Sequence, residues 1–157
     1  MSLPMSSHTD TDTDTMITSH EVSALKKPLD HFNYALSANG FVFVSCVQGF
    51  IPGTLQLVSD EPGAQAKQVL QNLRTILEAS GSSLEHVVKF TLILRDMNDF
   101  SVVNDEINAA FPRRMPARTS IQAVIPKNCK LAIEAIAVLA NTETKTKPRK
   151  MSEDMEA

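Results

Sequence analysis

The sequence predicts an α+β domain in which two helices cover one face of a mixed β-sheet. Short apolar, β-branched runs at residues 41–47 and 86–96 are typical of strands, whereas residues 61–79 and 97–111 repeat apolar side chains at helical spacing. Residues 115–140 supply two further strands. The resulting order, β-β-α-β-α-β-β, is typical of an α+β fold with its helices on one side of the sheet.

The first half of the domain is predicted to be a hairpin followed by a helix. Asn39-Gly40 is a strong turn signal, and it precedes the strand "FVFVSCV" at residues 41–47. A helix follows over residues 61–79, and Gly81 provides a natural stop at its C-terminus. Its apolar positions are Val69, Leu73, Ile76 and Leu77.

The second half begins with the strand "HVVKFTLILRD" at residues 86–96. A second helix follows over residues 97–111, with Asn98 or Asp99 as its candidate N-cap. Pro112 and Pro116 break the chain after it. Its apolar stripe comprises Phe100, Val103, Ile107 and Phe111.

Residues 115–140, "MPARTSIQAVIPKNCKLAIEAIAVLA", are predicted to be two strands joined by a short turn, and they carry two charges at strand positions. With the turn near residues 127–128, Arg118 lies opposite about Ala137, three rungs or about 10 Å from Glu134. A guanidinium on an apolar strand is costly unless it is paired. We therefore expect Arg118 to meet a neighbouring chain's carboxylate or a small anion, with a strained bridge to Glu134 as the alternative.

The last strand indicates self-assembly. Residues 130–140, "KLAIEAIAVLA", are apolar on both faces apart from Glu134. A sheet with helices on only one side leaves its other apolar face in water, and such a face is usually an assembly surface. We therefore expect a homo-oligomer whose sheets pack against each other.

The flanks differ from the domain in composition. Residues 1–21 are rich in Ser, Thr and Asp, and residues 141–157 carry mixed charge, so both are predicted to be disordered around a domain over residues 22–140. Neither a targeting signal nor a membrane-spanning run is visible, so we expect a cytoplasmic protein that does not bind membranes. The net charge of -3, the 5% aromatic content and the absence of Trp argue against nucleic-acid binding.

Common site motifs are missing from the chain. Cys46 and Cys129 are far apart and lack CxxC spacing, so neither a disulfide framework nor a zinc cluster is indicated. P-loop, GxGxxG, GxSxG and HExxH patterns are also absent.

Several segments resemble the RidA/YjgF family of 2-iminoacid deaminases, also called the endoribonuclease L-PSP family. They are "FVFVS", "QNLRTILEASG", "VVKFTLILRDMNDFSVVNDEI", "MPAR" and "IEAIAV", in colinear order from about Asn39 to Ala140. The resemblance implies a chorismate-mutase-like fold and a homotrimer with a barrel-like core and ligand clefts between subunits. It also implies hydrolysis of reactive enamine or imine acids to 2-oxo acids and ammonia, with no metal or organic cofactor.

The same resemblance assigns candidate site residues. Arg118 of the "PAR" motif would grip the carboxylate of a small 2-imino or 2-oxo acid, and would be the catalytic residue. The backbone at Ser120 would orient the imine nitrogen. The side chains of Ser45 and Asn104 match positions that line the cleft.

Three departures from the family pattern put the activity in question. Ala132 stands where deaminating members carry the glutamate that holds the attacking water, and a methyl group cannot orient water. Cys46 adds a side chain where a glycine lets the backbone approach the ligand. Phe32 falls near a cleft-closing tyrosine and lacks its hydroxyl.

Three functions therefore stay open on the sequence. The first is an imine deaminase, and the second is a non-catalytic protein that binds a small carboxylate as sensor or scaffold. The third is an endoribonuclease, which no general acid–base pair or basic groove supports.

Overall fold

The computed structural model describes residues 16–140, and the predictions of disorder for residues 1–15 and 141–157 lie outside these described residues. Its main elements are β1 (Thr18–His20), β2 (Ala35–Ala38), β3 (Phe41–Val47), α1 (Pro62–Ala79), β4 (Val87–Leu94), α2 (Phe100–Ala110), β5 (Ala117–Gln122) and β6 (Leu131–Val138). The strands form one six-stranded sheet in the order β1-β2-β3-β6-β4-β5. The predicted α+β class is thereby confirmed.

The first strand corrects the N-terminal boundary. The sequence places residues 1–21 in a disordered extension, which is wrong for β1, since Thr18–His20 pairs antiparallel with β2. The ring Nε2 of His20 lies 2.8 Å from Ser37 Oγ, which adds a side-chain contact to this pairing. A three-residue strand of Thr, Ser and His carries no periodic apolar signal, so only its partner strand reveals it.

β5 and β6 do not form the predicted hairpin. β6 is inserted between β3 and β4, and β5 pairs in parallel with the far side of β4. The predicted register is therefore wrong, because Arg118 is level with Phe90 of β4 rather than with Ala137 of β6. β5 is also an exposed edge strand, not the apolar strand that the sequence indicates.

The end of β4 separates β5 from β6. Arg95 N donates to Lys130 O, and the Arg95 guanidinium donates to Ile125 O and Asn128 Oδ1 at 2.9 and 3.0 Å. Lys127 and Asn128 adopt positive φ angles of 58° and 57°, as central residues of a hairpin turn do. The turn between β5 and β6 therefore has the local backbone conformation of a hairpin turn. The topology is nevertheless set by the pairing of both strands with β4.

The residue that caps the N-terminal end of α2 is not one of those that the sequence predicts. Met97–Asp99 forms a 3₁₀ turn before the helix, and Asp96 Oδ1 accepts a hydrogen bond from Asn98 N at 2.9 Å. Asp99 occupies the N-cap position of α2 but makes no side-chain capping bond. The capping function thus belongs to Asp96, which precedes both predicted candidates.

The core lies between the two helices and one face of the sheet. Alternate strand residues point toward the helices, which bury them as expected for a two-layer domain. Buried residues include Val42, Val44, Phe90, Leu92, Leu94, Ile133, Ala135 and Ala137 from the sheet and Val69, Leu73, Ile76, Leu77, Val103 and Ile107 from the helices.

The opposite face of the sheet is open in the single chain. Phe41, Phe43 and Ile121 are 41%, 46% and 42% exposed on it. The helix-free face that the last strand predicts is therefore present, and β3 and β5 contribute exposed apolar side chains to it.

Candidate functional site

Arg118 lies on the edge strand β5, and its side chain points to the helix side of the sheet. Its Nη1 donates to Asn104 Oδ1 at 2.6 Å, and its Cζ lies 5.4 Å from the centre of the Phe100 ring. Both partners are on α2, one helical turn apart. Hydrogen bonding and a cation–π contact therefore hold the guanidinium from two sides, and Arg118 remains exposed.

Ser120 presents its backbone to the free edge of β5. Ala123 N donates to Leu94 O, so the odd-numbered residues of β5 direct their backbone groups toward β4. Backbone direction alternates along a strand, which turns the N–H and C=O groups of Arg118 and Ser120 outward. Their side chains share the helix-facing side, so both residues serve the same small region.

The remaining predicted site residues form a second group around β2 and β3. Ser45 Oγ donates to Asn33 O at 2.7 Å. The Phe32 ring packs edge-on against Tyr34 with 5.0 Å between the ring centres, and Cys46 follows Ser45 on β3. Ser45 and Phe32 are thus committed to contacts within their own region.

One chain does not bring the two groups together. β6 and β4 lie between β3 and β5 in the sheet, and three interstrand spacings amount to about 14 Å. Asn104 alone of the other predicted site residues bonds the Arg118 side chain within residues 16–140. The residues predicted to line one cleft therefore lie in two separate groups within a single chain.

Ala132 belongs to the second half and is sealed. Its exposure is 0%, and it forms an apolar cluster with Ile125 and Cys129. Cys46 and Ile93 pack against this cluster from the neighbouring strands. The position at which the family pattern has a carboxylate is thus a buried methyl group within an apolar cluster.

The Cys46 thiol is held in its neutral form. Burial raises its pKa from the usual 9.0 to about 11, and the negative charge of Glu134 and the nearby Cys129 contribute in the same direction. Burial also raises the pKa of the Cys129 thiol. A neutral thiol is a poor nucleophile, so neither cysteine replaces the missing acid as a reactive group at neutral pH.

Glu134 lies on the open face, level with Thr91 of β4. It lines a shallow cavity of about 180 Å³ together with Lys89, Thr91, Phe43 and Ile136. Arg118 points to the helix side of the sheet, so the bridge between Arg118 and Glu134 that the hairpin register left open is not formed.

Phe100 and Gln122 are site residues that the sequence argument missed. Phe100 is predicted only as part of the apolar stripe, although it packs partly against the core and partly under Arg118. Gln122 Oε1 accepts from Met97 N at 2.9 Å and joins β5 to the start of α2. The signal for Gln122 is its even spacing from Arg118 along one strand face, which becomes meaningful only once α2 is known to cover that face.

The structure also bears on two wider predictions. Within residues 16–140, no three His, Cys, Asp or Glu side chains are grouped so that they could hold a metal ion. Neither helix in this part of the chain has the length and apolar character needed to cross a membrane.

Comparisons with known proteins agree with the fold and the motifs. The family model described as Endoribonuclease L-PSP matches residues 22–139. "Reactive Intermediate Deaminase A, chloroplastic" from Arabidopsis thaliana is 44% identical over 121 residues, which cover 75% of this chain and 65% of that protein. The "2-iminobutanoate/2-iminopropanoate deaminase" of Mus musculus is 38% identical over 120 residues, covering 74% of this chain and 88% of that protein.

Solved structures give the same result. RidA from an Antarctic Psychrobacter species has a TM-score of 0.72 and 33% identity, covering 77% of this chain and 98% of that chain. E. coli TdcF with bound serine has a TM-score of 0.70 and 27% identity, with the same two coverages of 77% and 98%. The molecule is thus an α+β protein of the YjgF type. More particularly, the chain belongs to the endoribonuclease L-PSP family, in which the RidA proteins are found.

Proposed function

We propose that this protein hydrolyses small 2-imino acids to 2-oxo acids and ammonia, with Arg118 as the carboxylate anchor. The observation that carries the proposal is the arrangement of the Arg118 guanidinium, which Asn104 and Phe100 hold on an exposed edge strand. Within residues 16–140 the guanidinium makes one hydrogen bond, through Nη1, so its other N–H donors have no partner there. Two parallel donors match a carboxylate. Relatives named as deaminases of 2-iminobutanoate and 2-iminopropanoate support the same substrate class.

Imine hydrolysis requires little from the protein beyond orientation of the reactants. Water adds to the electrophilic imine carbon, a proton moves to nitrogen, and the C–N bond breaks to release ammonia and leave the 2-oxo acid. Arg118 fixes the substrate carboxylate, and the outward backbone groups of Ser120 lie on the same strand edge to orient the imine nitrogen. Holding the reactants in this geometry supplies the main catalytic effect.

The complete site requires a second copy of the chain in this proposal. The Arg118 half and the half containing Ser45, Cys46 and Phe32 are separated by two strands within one chain. A homotrimer that buries the open face, with Phe41 and Phe43 among its contacts, would bring the halves of different copies together. The exposed apolar area on that face supports such an assembly.

A second candidate function follows from the sealed environment of Ala132. No carboxylate stands at this position to orient the attacking water, while the carboxylate anchor is intact. The same site then binds a small 2-oxo or amino acid without turning it over, as a sensor or scaffold. The relative solved with bound serine, itself a small carboxylate, is compatible with this alternative.

One assay separates the two functions. 2-Iminobutanoate is generated in situ from threonine by a dehydratase, and its disappearance is followed with wild type, Arg118→Ala and the control Arg74→Ala, which alters an exposed arginine on α1. If the protein is a deaminase, wild type and the control should accelerate the hydrolysis of 2-iminobutanoate, and Arg118→Ala should not. If wild type binds 2-oxobutanoate in a titration but does not accelerate imine hydrolysis, the protein is a carboxylate-binding protein rather than a deaminase.

A further inference from the structure

We infer that Phe100 and Gln122 are positioning residues that hold the Arg118 guanidinium in its carboxylate-binding orientation. The inference rests on the proposed function, because it concerns the same anchor. Neither residue is charged, and each acts on a ligand through Arg118.

Gln122 connects the strand that carries the anchor to the helix that carries its partners. It lies four residues after Arg118 on β5, so both side chains point to the helix side. Its Oε1 accepts from Met97 N at 2.9 Å, and Asp96 Oδ1 accepts from Asn98 N in the same turn. The 3₁₀ turn Met97–Asp99 is thereby tied to β5 and closed on itself.

This turn sets the position of α2 over Arg118. α2 begins at Phe100 directly after the turn, and Phe100 and Asn104 stand four residues apart on one helix face. The ring of Phe100 lies 5.4 Å from Arg118 Cζ, and Asn104 Oδ1 lies 2.6 Å from its Nη1. A shift or rotation of α2 relative to β5 would displace both partners at once, and the Gln122 hydrogen bond opposes that displacement.

Fixing the Arg118 side chain before the ligand binds matters because an arginine side chain is long and flexible. A free arginine on an exposed edge strand samples many rotamers, and a ligand that binds it must first order the side chain. With Phe100 and Asn104 in place, this ordering is complete before the ligand arrives. The benefit is equal for ground and transition states, so its loss raises KM and leaves kcat nearly unchanged.

The experiment compares paired variants that remove or keep each contact. Phe100→Leu removes the ring and Phe100→Tyr keeps it. Gln122→Leu removes the acceptor and Gln122→Glu keeps one. The control, Ser101→Ala, changes an exposed residue next to Phe100 on the same helix.

We expect KM for 2-iminobutanoate to rise about two- to fivefold in Phe100→Leu, the change that a lost exposed cation–π contact gives. A rise within the same range is expected in Gln122→Leu, because the lost hydrogen bond lets both partners of Arg118 shift. The dissociation constant of 2-oxobutanoate should rise equally. Phe100→Tyr, Gln122→Glu and the control should stay within about twofold of wild type, with kcat unchanged throughout. Equal constants in the Leu variants and wild type would overturn the inference.

NMR of the Arg118 side chain tests the same inference without any turnover. The Hε signal, assigned by its disappearance in Arg118→Lys, should be shifted upfield by the Phe100 ring. The shift should vanish in Phe100→Leu, shrink in Gln122→Leu and return in Gln122→Glu. An Hε shift that persists unchanged in Gln122→Leu would refute the role of Gln122. If the shifts follow the expected pattern but the protein hydrolyses no imine, only the proposed function is refuted and the positioning of Arg118 stands.

Discussion

The two halves of the site differ in how they are built. Around Arg118 the contacts are polar and directed, with a hydrogen bond to Asn104 and a ring contact to Phe100. Around Ala132 the surroundings are apolar and closed, with two cysteines among them. The comparison teaches that, under the proposed function, the Arg118 half keeps the groups that would bind a carboxylate, whereas Ala132 in the other half offers no polar group that would orient water.

The largest expected effect comes from removing the anchor. Arg118→Ala should weaken 2-oxobutanoate binding roughly a hundredfold or more, because two charge-assisted hydrogen bonds are lost at once. Arg118→Lys should retain part of the affinity, since an ammonium keeps the charge but not the planar pair of donors. Calorimetric titration gives the dissociation constants. Equal affinity of wild type and Arg118→Ala for 2-oxobutanoate would show that Arg118 does not bind the ligand.

Placing an acid in the closed half should cost stability. Ala132→Glu inserts a carboxylate into the buried apolar cluster that contains Ile125 and Cys129, against which Cys46 packs. The free energy of unfolding should fall by at least about 2 kcal/mol. Urea denaturation measures the loss, with Ala109→Glu as a control at an exposed helix position. A fully stable Ala132→Glu variant with much higher imine hydrolysis would mean that the pocket accepts the family's acid.

An intermediate effect is expected at Asn104. Asn104→Ala removes the hydrogen bond to Arg118 Nη1, and a hydrogen bond to a charged group accounts for about a tenfold change in binding. The measurement is the dissociation constant of 2-oxobutanoate, with Asn108→Ala on the same helix as the control for an exposed asparagine. If Asn104 only lines the cleft without orienting Arg118, the Hε signal of Arg118 will be the same in wild type and Asn104→Ala.

The smallest effect concerns Cys46 and alkaline pH. Its folded-state pKa is about 11 against a usual 9.0, so the native state keeps the proton that the unfolded state loses. Stability from this group is therefore complete below pH 9 and declines as the pH rises from 9 to 11. The urea midpoint of wild type should fall slightly more over this interval than that of Cys46→Ser, and identical pH dependence would show that the thiol is not held neutral.

Local patterns predicted much of the fold. The strand predicted at residues 41–47 is Phe41–Val47, and the helix predicted at residues 61–79 is Pro62–Ala79. In both cases the apolar spacing and the flanking turn residues act over a few positions. The insertion of β6 between β3 and β4 could not be predicted in this way, because the connection after β5 looks like a hairpin turn locally.

The site was predicted unevenly for the same reason. Arg118 and Asn104 were named from motifs, and the structure brings their side chains together. Phe100 looked like an ordinary core residue because its helical spacing matches that of Val103 and Ile107. Its contact with Arg118 depends on how α2 lies across β5, which no local pattern contains.

The most direct test of a site shared between copies mixes two defective variants. Arg118→Ala disables one half and Cys46→Trp fills the other, so each alone should be inactive in imine hydrolysis or 2-oxobutanoate binding. After joint unfolding and refolding, random mixing in a ring with head-to-tail contacts leaves about a quarter of the sites intact. Recovery to about that level is the predicted result, and a mixture no more active than its separate components would contradict a site built from two chains.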